Sequence, residues 1–133
     1  MYVKLKKKLS QNFLIDKNII NKIISLIDNF NLKILEIGPG DGKLTFQIIK
    51  KKPELFDIVE IDKDLMKNLN LNFKKYQFMN IFNEDILKFN FQTEYNLIIS
   101  NLPYNLSSKI LEKIIILKNK PGTMILMFQK EFA

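Results

Sequence analysis

Lys33-Ile34-Leu35-Glu36-Ile37-Gly38-Pro39-Gly40-Asp41-Gly42 is the stretch on which the fold turns. Its first five residues form a short, mostly apolar run and read as a strand. Three of the chain's 4 glycines then follow within five positions, so the backbone turns sharply there. Leu44, Ile48 and Ile49 recur at helical spacing immediately afterwards, which predicts a helix from about Lys43 to Lys51. A strand, a glycine turn and a helix in that order make the first half of a βαβ unit. The pattern extends in both directions. Asp16 is placed to cap a helix running to about Asn29, with Ile19, Ile20, Ile23, Ile24 and Ile27 on one face. Strands are predicted at Phe56 to Glu60, Gln77 to Phe82, Leu97 to Ser100 and Thr123 to Gln129. Helices are predicted at Asp64 to Asn72, with Asp62 and Asp64 as starting acids, and from Ser107, as cap, to about Leu117. About five strands alternating with helices predict one α/β domain, a mostly parallel sheet with helices on both faces. Apolar strands such as Leu97-Ile98-Ile99 and Met124 to Phe128 fit a sheet covered on both sides.

Composition narrows the chemistry. The chain has 133 residues, 47% hydrophobic and 26% charged, which suits one globular domain with one core. It has no cysteine and no histidine. Disulfide frameworks, thiolate zinc sites, cysteine nucleophiles, Ser-His-Asp chemistry and His-ligated metals are therefore excluded. The lack of cysteine fits a reducing, cytoplasmic location. No apolar run approaches the ~20 residues of a membrane span, and no secretory signal is recognisable. All 21 basic residues are lysine, against 14 acidic ones, giving +7. The abundance of Ile, Asn, Lys and Phe points to an AT-rich coding bias that supplies part of this excess, yet +7 on a small domain favours a polyanionic partner. Lysine contacts phosphate as a point charge, without arginine's fork. Lys4, Lys6, Lys7 and Lys8 make a basic N-terminal arm, either solvated or laid on an RNA backbone.

In a doubly wound sheet, ligands bind beyond the carboxyl ends of the strands, so the residues after each strand carry the function. After the first strand, a dinucleotide fingerprint needs its third glycine at position 43, where this chain has Lys43. A P-loop is excluded because no Gly-Lys-Ser/Thr follows at the right distance. The G-x-G-x-G spacing of Gly38, Gly40 and Gly42 after an acidic residue resembles that of S-adenosylmethionine (SAM) methyltransferases. A tight strand-to-helix turn without a ligand gives the same local pattern. Glu60 ends the second strand, where a carboxylate can accept from both hydroxyls of a ribose. Asp85 follows the third strand and either accepts from an exocyclic adenine amine or caps the turn at Leu87. Ile61 and Ile86 are placed to sandwich the adenine ring.

After the fourth strand comes Ser100-Asn101-Leu102-Pro103-Tyr104-Asn105, predicted as a loop. The exocyclic amine of adenine is a poor nucleophile, because its lone pair is delocalised into the ring. Two acceptors on its hydrogens draw the nitrogen toward tetrahedral geometry and free that lone pair. Asn101 supplies a side-chain oxygen and Leu102 a backbone carbonyl. Pro103 stiffens the loop and lacks a competing N–H. Tyr104 offers a ring for the base to stack on, worth ~1–3 kcal/mol. No strong base is needed, so the absence of histidine is no obstacle.

With these residues in view, the chain is similar to the small-subunit (16S) ribosomal RNA adenine dimethyltransferase family of the KsgA/RsmA type. Four blocks carry the resemblance, in the family's order: Ser10-Gln11-Asn12-Phe13-Leu14, Glu36 to Thr45, Asn101 to Asn105, and Gln129-Lys130-Glu131. Ser10 stands where the family usually has glycine, which bears only on the local backbone. The resemblance implies a Rossmann-like class I SAM-dependent methyltransferase, with residues 1–133 as its SAM-binding catalytic domain and residues 1–15 as a basic arm and cofactor lid. It implies that Asn12 and the Leu14 backbone line the cofactor pocket with Gly38, Glu60, Asp85 and Asn101. It implies a monomer acting without metal or membrane on 16S rRNA, in the 30S subunit or its precursor, and adding two methyls to each of two adjacent adenines near the 3′ end. Family members continue with two antiparallel strands and a small helical domain, so the resemblance implies a fragment or a reduced form whose fifth strand has an open edge.

Three other readings stand beside this one. The sister family that dimethylates a 23S adenine and confers macrolide resistance more often has Asn-Ile-Pro-Tyr, whereas residue 102 here is leucine. DNA adenine and protein-glutamine methyltransferases favour a second proline at that position. A non-catalytic RNA-binding assembly factor on the same fold would tolerate loss of Asn101 or Tyr104, and both are intact.

Overall fold

The computed structural model describes residues 16–102 and 104–128. The order of elements is α1 (Lys17–Ser25), β1 (Lys33–Ile37), α2 (Lys43–Lys50), β2 (Leu55–Val59), α3 (Lys63–Phe73), β3 (Met79–Phe82), β4 (Leu97–Leu102), α4 (Tyr104–Ile115) and β5 (Thr123–Phe128). The strands form one sheet in the order β3-β2-β1-β4-β5, and every pairing is parallel. Strand order reverses between β1 and β4, so the switch point lies beyond their carboxyl ends.

Alternation along the strands divides the apolar residues into two cores, one on each face. Ile34, Phe56, Ile58, Leu97 and Ile99 meet Ile20, Ile23, Leu44, Ile48, Leu69 and Phe73 from α1, α2 and α3. On the other face Leu35, Ile37, Val59 and Ile98 meet Ile110 and Ile114 of α4, and Ile86, Phe89 and Tyr95 from the segment between β3 and β4. The β5 edge is less covered than its apolar sequence predicts: Met124 to Met127 are half-buried, because β5 has a single strand neighbour among the described residues.

Several boundaries differ from expectation; β3, for one, starts at Met79 rather than Gln77, and β2 runs Leu55–Val59, leaving Glu60 just beyond it. Helix α1 ends at Ser25 rather than Asn29. There Ser25 Oγ donates to the Lys22 carbonyl at 2.7 Å, and Leu26 and Ile27 close tighter i to i−3 turns. Helix α4 starts at Tyr104, so Ser107 lies inside it rather than capping it. Strand β4 runs through Asn101 and Leu102, which read as loop in the sequence. They pair with Met127 and Phe128, and this ladder to β5 extends the strand by two residues. Helix α3 begins as anticipated, with the Asp62 carboxylate accepting from the amides of Asp64 and Leu65 at 2.9 and 3.1 Å.

Candidate active site

The turns after β1, β2 and β3 and the end of β4 share the carboxyl edge of the sheet. Gly38 has φ of 69°, Gly40 of 62° and Gly42 of 85°, all in the region that favours glycine. At Gly38 the requirement is also one of space. A Cβ there would lie 2.5 Å from Leu102 Cδ2 and 3.4 Å from the Asn101 carbonyl oxygen. The glycine turn therefore packs directly against the residues that carry the expected methyl-transfer chemistry.

Glu60 ties the turns together. Its Oε1 accepts from the Gly40 amide at 3.3 Å, and its Oε2 accepts from the Asp62 amide at 3.0 Å. The side chain is only 6% exposed, and burial pushes its pKa up against the lowering effect of those two backbone donors. Each carboxylate oxygen retains a second acceptor site. Sequence reasoning missed Asn83, whose amide donates to the carbonyls of Glu60 and Ile61 at 2.8 and 3.2 Å and joins the turn after β3 to the turn after β2. A side-chain amide in the first position beyond a strand was the available signal. In the sequence, Glu36 and Thr45 are motif positions without roles. Glu36 is 2% exposed and accepts from Thr45 Oγ1 at 2.5 Å. Burial pushes its pKa up to about 7, with Glu60 and Asp41 adding to the rise and the Thr45 hydroxyl opposing it.

The remaining expected residues fall as follows. Asp85 Oδ1 accepts from the Leu87 amide at 3.0 Å, which is the capping role, and Oδ2 remains able to accept another donor. Ile61 is 64% exposed at the edge of the site, whereas Ile86 is packed into the core of the α4 face. Asn101 is 7% exposed. Its Oδ1 is buried without a hydrogen-bond partner among the described residues, as is Ser100 Oγ. The Leu102 carbonyl accepts from Ser107 Oγ at 3.1 Å, a bond that pins the end of β4 to the first turn of α4 and leaves one acceptor site. Asn12, Leu14, Pro103 and the segments 10–14 and 129–131 lie outside the described residues, as does the side chain of Tyr104.

The family model for ribosomal RNA adenine dimethylase matches residues 2–133. The chain belongs to that family. One curated relative, the ribosomal RNA small subunit methyltransferase A of Pelagibacter ubique, is 45% identical over 139 residues, covering 100% of this chain and 52% of the relative. The chain thus spans about half the length of the curated relatives it matches. Among solved structures, a dimethyladenosine transferase from Plasmodium falciparum superposes with a TM-score of 0.76 at 25% identity, covering 86% of this chain and 42% of that one. The 23S rRNA methyltransferase ErmE superposes with a TM-score of 0.75 at 25% identity, covering 89% of this chain and 48% of that one. Membership fits the parallel sheet, with three turns and the end of β4 at its carboxyl edge. The two superpositions are nearly equally close, so the fold alone does not separate likeness to the dimethyladenosine transferase from likeness to the 23S rRNA methyltransferase. No helix among the described residues is long and apolar enough to cross a membrane.

Proposed function

We propose that this chain carries the SAM-binding and catalytic machinery of a ribosomal RNA adenine dimethyltransferase that acts in the cytoplasm on two adjacent adenines near the 3′ end of 16S rRNA. The observation that carries this reading is the Asn101 side-chain oxygen, buried at a strand end without a partner among the described residues. A buried acceptor left unpaired costs about 1–3 kcal/mol, so a site that keeps one is built for a donor that arrives with its ligand. The small-subunit branch is favoured over the 23S branch by Leu102 and by the 45% identity to a small-subunit enzyme.

The residues fit the cofactor. Gly38 and Gly40 give a cradle without side chains, and at Gly38 a Cβ would collide with Leu102. Glu60 is held by Gly40 and Asp62 with acceptor sites left for ribose hydroxyls. Asp85 is the acceptor for the adenine amine, with Ile61 and Ile86 as its apolar surroundings. Asn12 and Leu14 complete the pocket on the strength of the family resemblance. When bound, SAM supplies an electrophilic methyl on a sulfonium. The chain's part is to present the nucleophile. The target adenine leaves its stack, as for other enzymes that act on a base. Tyr104 stacks on it. Asn101 Oδ1 and the Leu102 carbonyl accept from the two amine hydrogens, and these bonds strengthen as the nitrogen becomes tetrahedral. The alkylated amine is acidic, so its proton passes to solvent without a strong base, and the same arrangement serves the second methyl.

RNA contact falls to lysines. Lys17, Lys43, Lys50 and Lys75 line a groove of about 860 Å³ that also holds Phe46, Tyr76 and one acid, Asp41, which lies 3.9 Å from Lys43. Lys109 is exposed on α4, and the N-terminal arm supplies further charge. The protein works as a monomer in this reading.

The test is single-turnover methyl transfer at saturating SAM. Asn101→Ala is expected to lower the rate by about 2–4 kcal/mol, the range for losing one preorganised group at a reacting centre, with RNA affinity little changed. Tyr104→Phe is expected to keep most of the rate, and Tyr104→Ala to lose it. An Asn101→Ala variant at the parent rate would overturn the mechanism.

A further inference from the structure

Lys113 sits on the third turn of α4, two helical turns beyond the residues that pin the catalytic strand end. Its ammonium donates to three backbone carbonyls in one segment: Ile86 at 3.1 Å, Leu87 at 2.7 Å and Phe89 at 2.8 Å. These carbonyls belong to the tight turn that begins at Asp85, where Lys88 N donates to the Asp85 carbonyl at 2.9 Å and Phe89 N to the Ile86 carbonyl at 3.2 Å. The turn has the end of a helix without its length: converging carbonyls, partial negative charge and no following turn to absorb them. One ammonium, with three donors, meets all three. Burial pulls the pKa of this ammonium down, and the charge of the Asp85 carboxylate opposes that fall. The aromatic rings beside it are fixed in a row. Phe89 contacts Phe82 and Phe91 at centroid distances of 5.4 and 5.2 Å, and the ammonium lies 5.5 Å from the Phe91 centroid.

We propose that Lys113 is a positioning residue for adenine recognition: by gripping the Ile86, Leu87 and Phe89 carbonyls from α4, it fixes the turn that presents Asp85 to the exocyclic amine of the cofactor. This rests on the cofactor reading given above. The helix that begins at Tyr104 thereby also sets the opposite wall of the pocket. A lysine serving stability alone would hold the same carbonyls, but its loss would weaken all ligands alike. A lysine that aims Asp85 is needed for telling the amine from its absence.

The experiment compares the affinity of the chain for S-adenosylhomocysteine with that for its analogue bearing hydrogen in place of the exocyclic amine, by titration calorimetry. The parent is expected to prefer the amine by about ten-fold or more, the worth of one hydrogen bond to a charged acceptor, and Asp85→Ala to lose that preference. Lys113→Met is expected to bring the ratio close to one, Lys113→Arg to restore most of it, and Lys113→Met to add little further loss when combined with Asp85→Ala. Lys113→Gln, which keeps two N–H donors on an uncharged amide, falls between them and carries the comparison if the methionine variant does not fold. A parent ratio near one would overturn the Asp85 reading and this inference with it. A parent that discriminates, beside Lys113→Met or Lys113→Gln variants that discriminate equally well, would overturn the role of Lys113 alone.

Discussion

Glu60 and Glu36 are both buried carboxylates, but they face different demands. Glu60 is held by backbone donors from two turns and keeps acceptor sites for a ligand. Glu60→Ala removes acceptors that ribose hydroxyls would need, and is expected to weaken SAM binding by about 1–3 kcal/mol in titration calorimetry. Unchanged affinity would mean that the ribose lies elsewhere. Glu36 has a single side-chain hydrogen-bond partner among the described residues, Thr45, and its pKa of about 7 makes it a pH-dependent element of stability. Its folded pKa lies above the usual 4.5, so the folded state binds the proton more tightly than the unfolded chain does. Its contribution is fully present below about 4.5 and is lost as pH rises through about 7. Glu36→Gln keeps an oxygen for Thr45 without the charge. Relative to the parent, this variant is expected to gain stability across that window, reaching on the order of 3 kcal/mol above pH 7. Urea unfolding of both proteins from pH 4 to 8 checks this, and a constant difference between them would contradict it.

The elements that position these groups differ in how far they could be read from sequence. The glycine turn between β1 and α2 makes the sharpest prediction. Gly38 has both a left-handed φ and Leu102 in the way, Gly40 has the φ alone, and Gly122 has neither the φ nor a contact closer than 3.4 Å. Alanine is therefore expected to cost most at Gly38, about 1–2 kcal/mol at Gly40 and least at Gly122, as read from thermal unfolding. A Gly38→Ala variant as stable as Gly122→Ala would show that the close packing of the glycine turn on Leu102 is not as described. Strand β1 and this turn were legible because both signals are local: an apolar run that stops at clustered glycines. The end of β4 was not. Asn101 and Leu102 look like loop residues beside Pro103, and only the pairing with β5, more than twenty residues away, makes them strand. Ser107 resembles a helix cap by type, whereas proline ahead of Tyr104 is the better start signal. The acids were legible as residues at strand ends. The donors around them were not, neither Thr45 to the Glu36 carboxylate nor Asn83 to the Glu60 carbonyl, because such bonds depend on how neighbouring segments approach each other.

At the scale of the molecule, two apolar faces hold a parallel sheet whose carboxyl edge collects every proposed site residue that the structure describes. The lysines gather elsewhere as well, with Lys17, Lys43, Lys50 and Lys75 lining one groove, and with the net +7 this gives RNA contact a physical test. RNA binding is expected to weaken with salt by roughly 0.7–0.9 log units per log unit of salt for each phosphate contacted. Replacing Lys50 and Lys75 in the groove by glutamine is expected to flatten that slope, as measured by filter binding. A slope unaffected by both changes would place the RNA on another face. The measurement that reaches the central proposal most directly is transfer of labelled methyl groups from SAM to undermethylated 30S and 50S particles, with the modified nucleotides mapped. The account predicts dimethylated adenines at two adjacent positions near the 3′ end of 16S rRNA and no label in 23S rRNA. Label in 23S rRNA, or none on either particle from a chain that binds the cofactor, would contradict it.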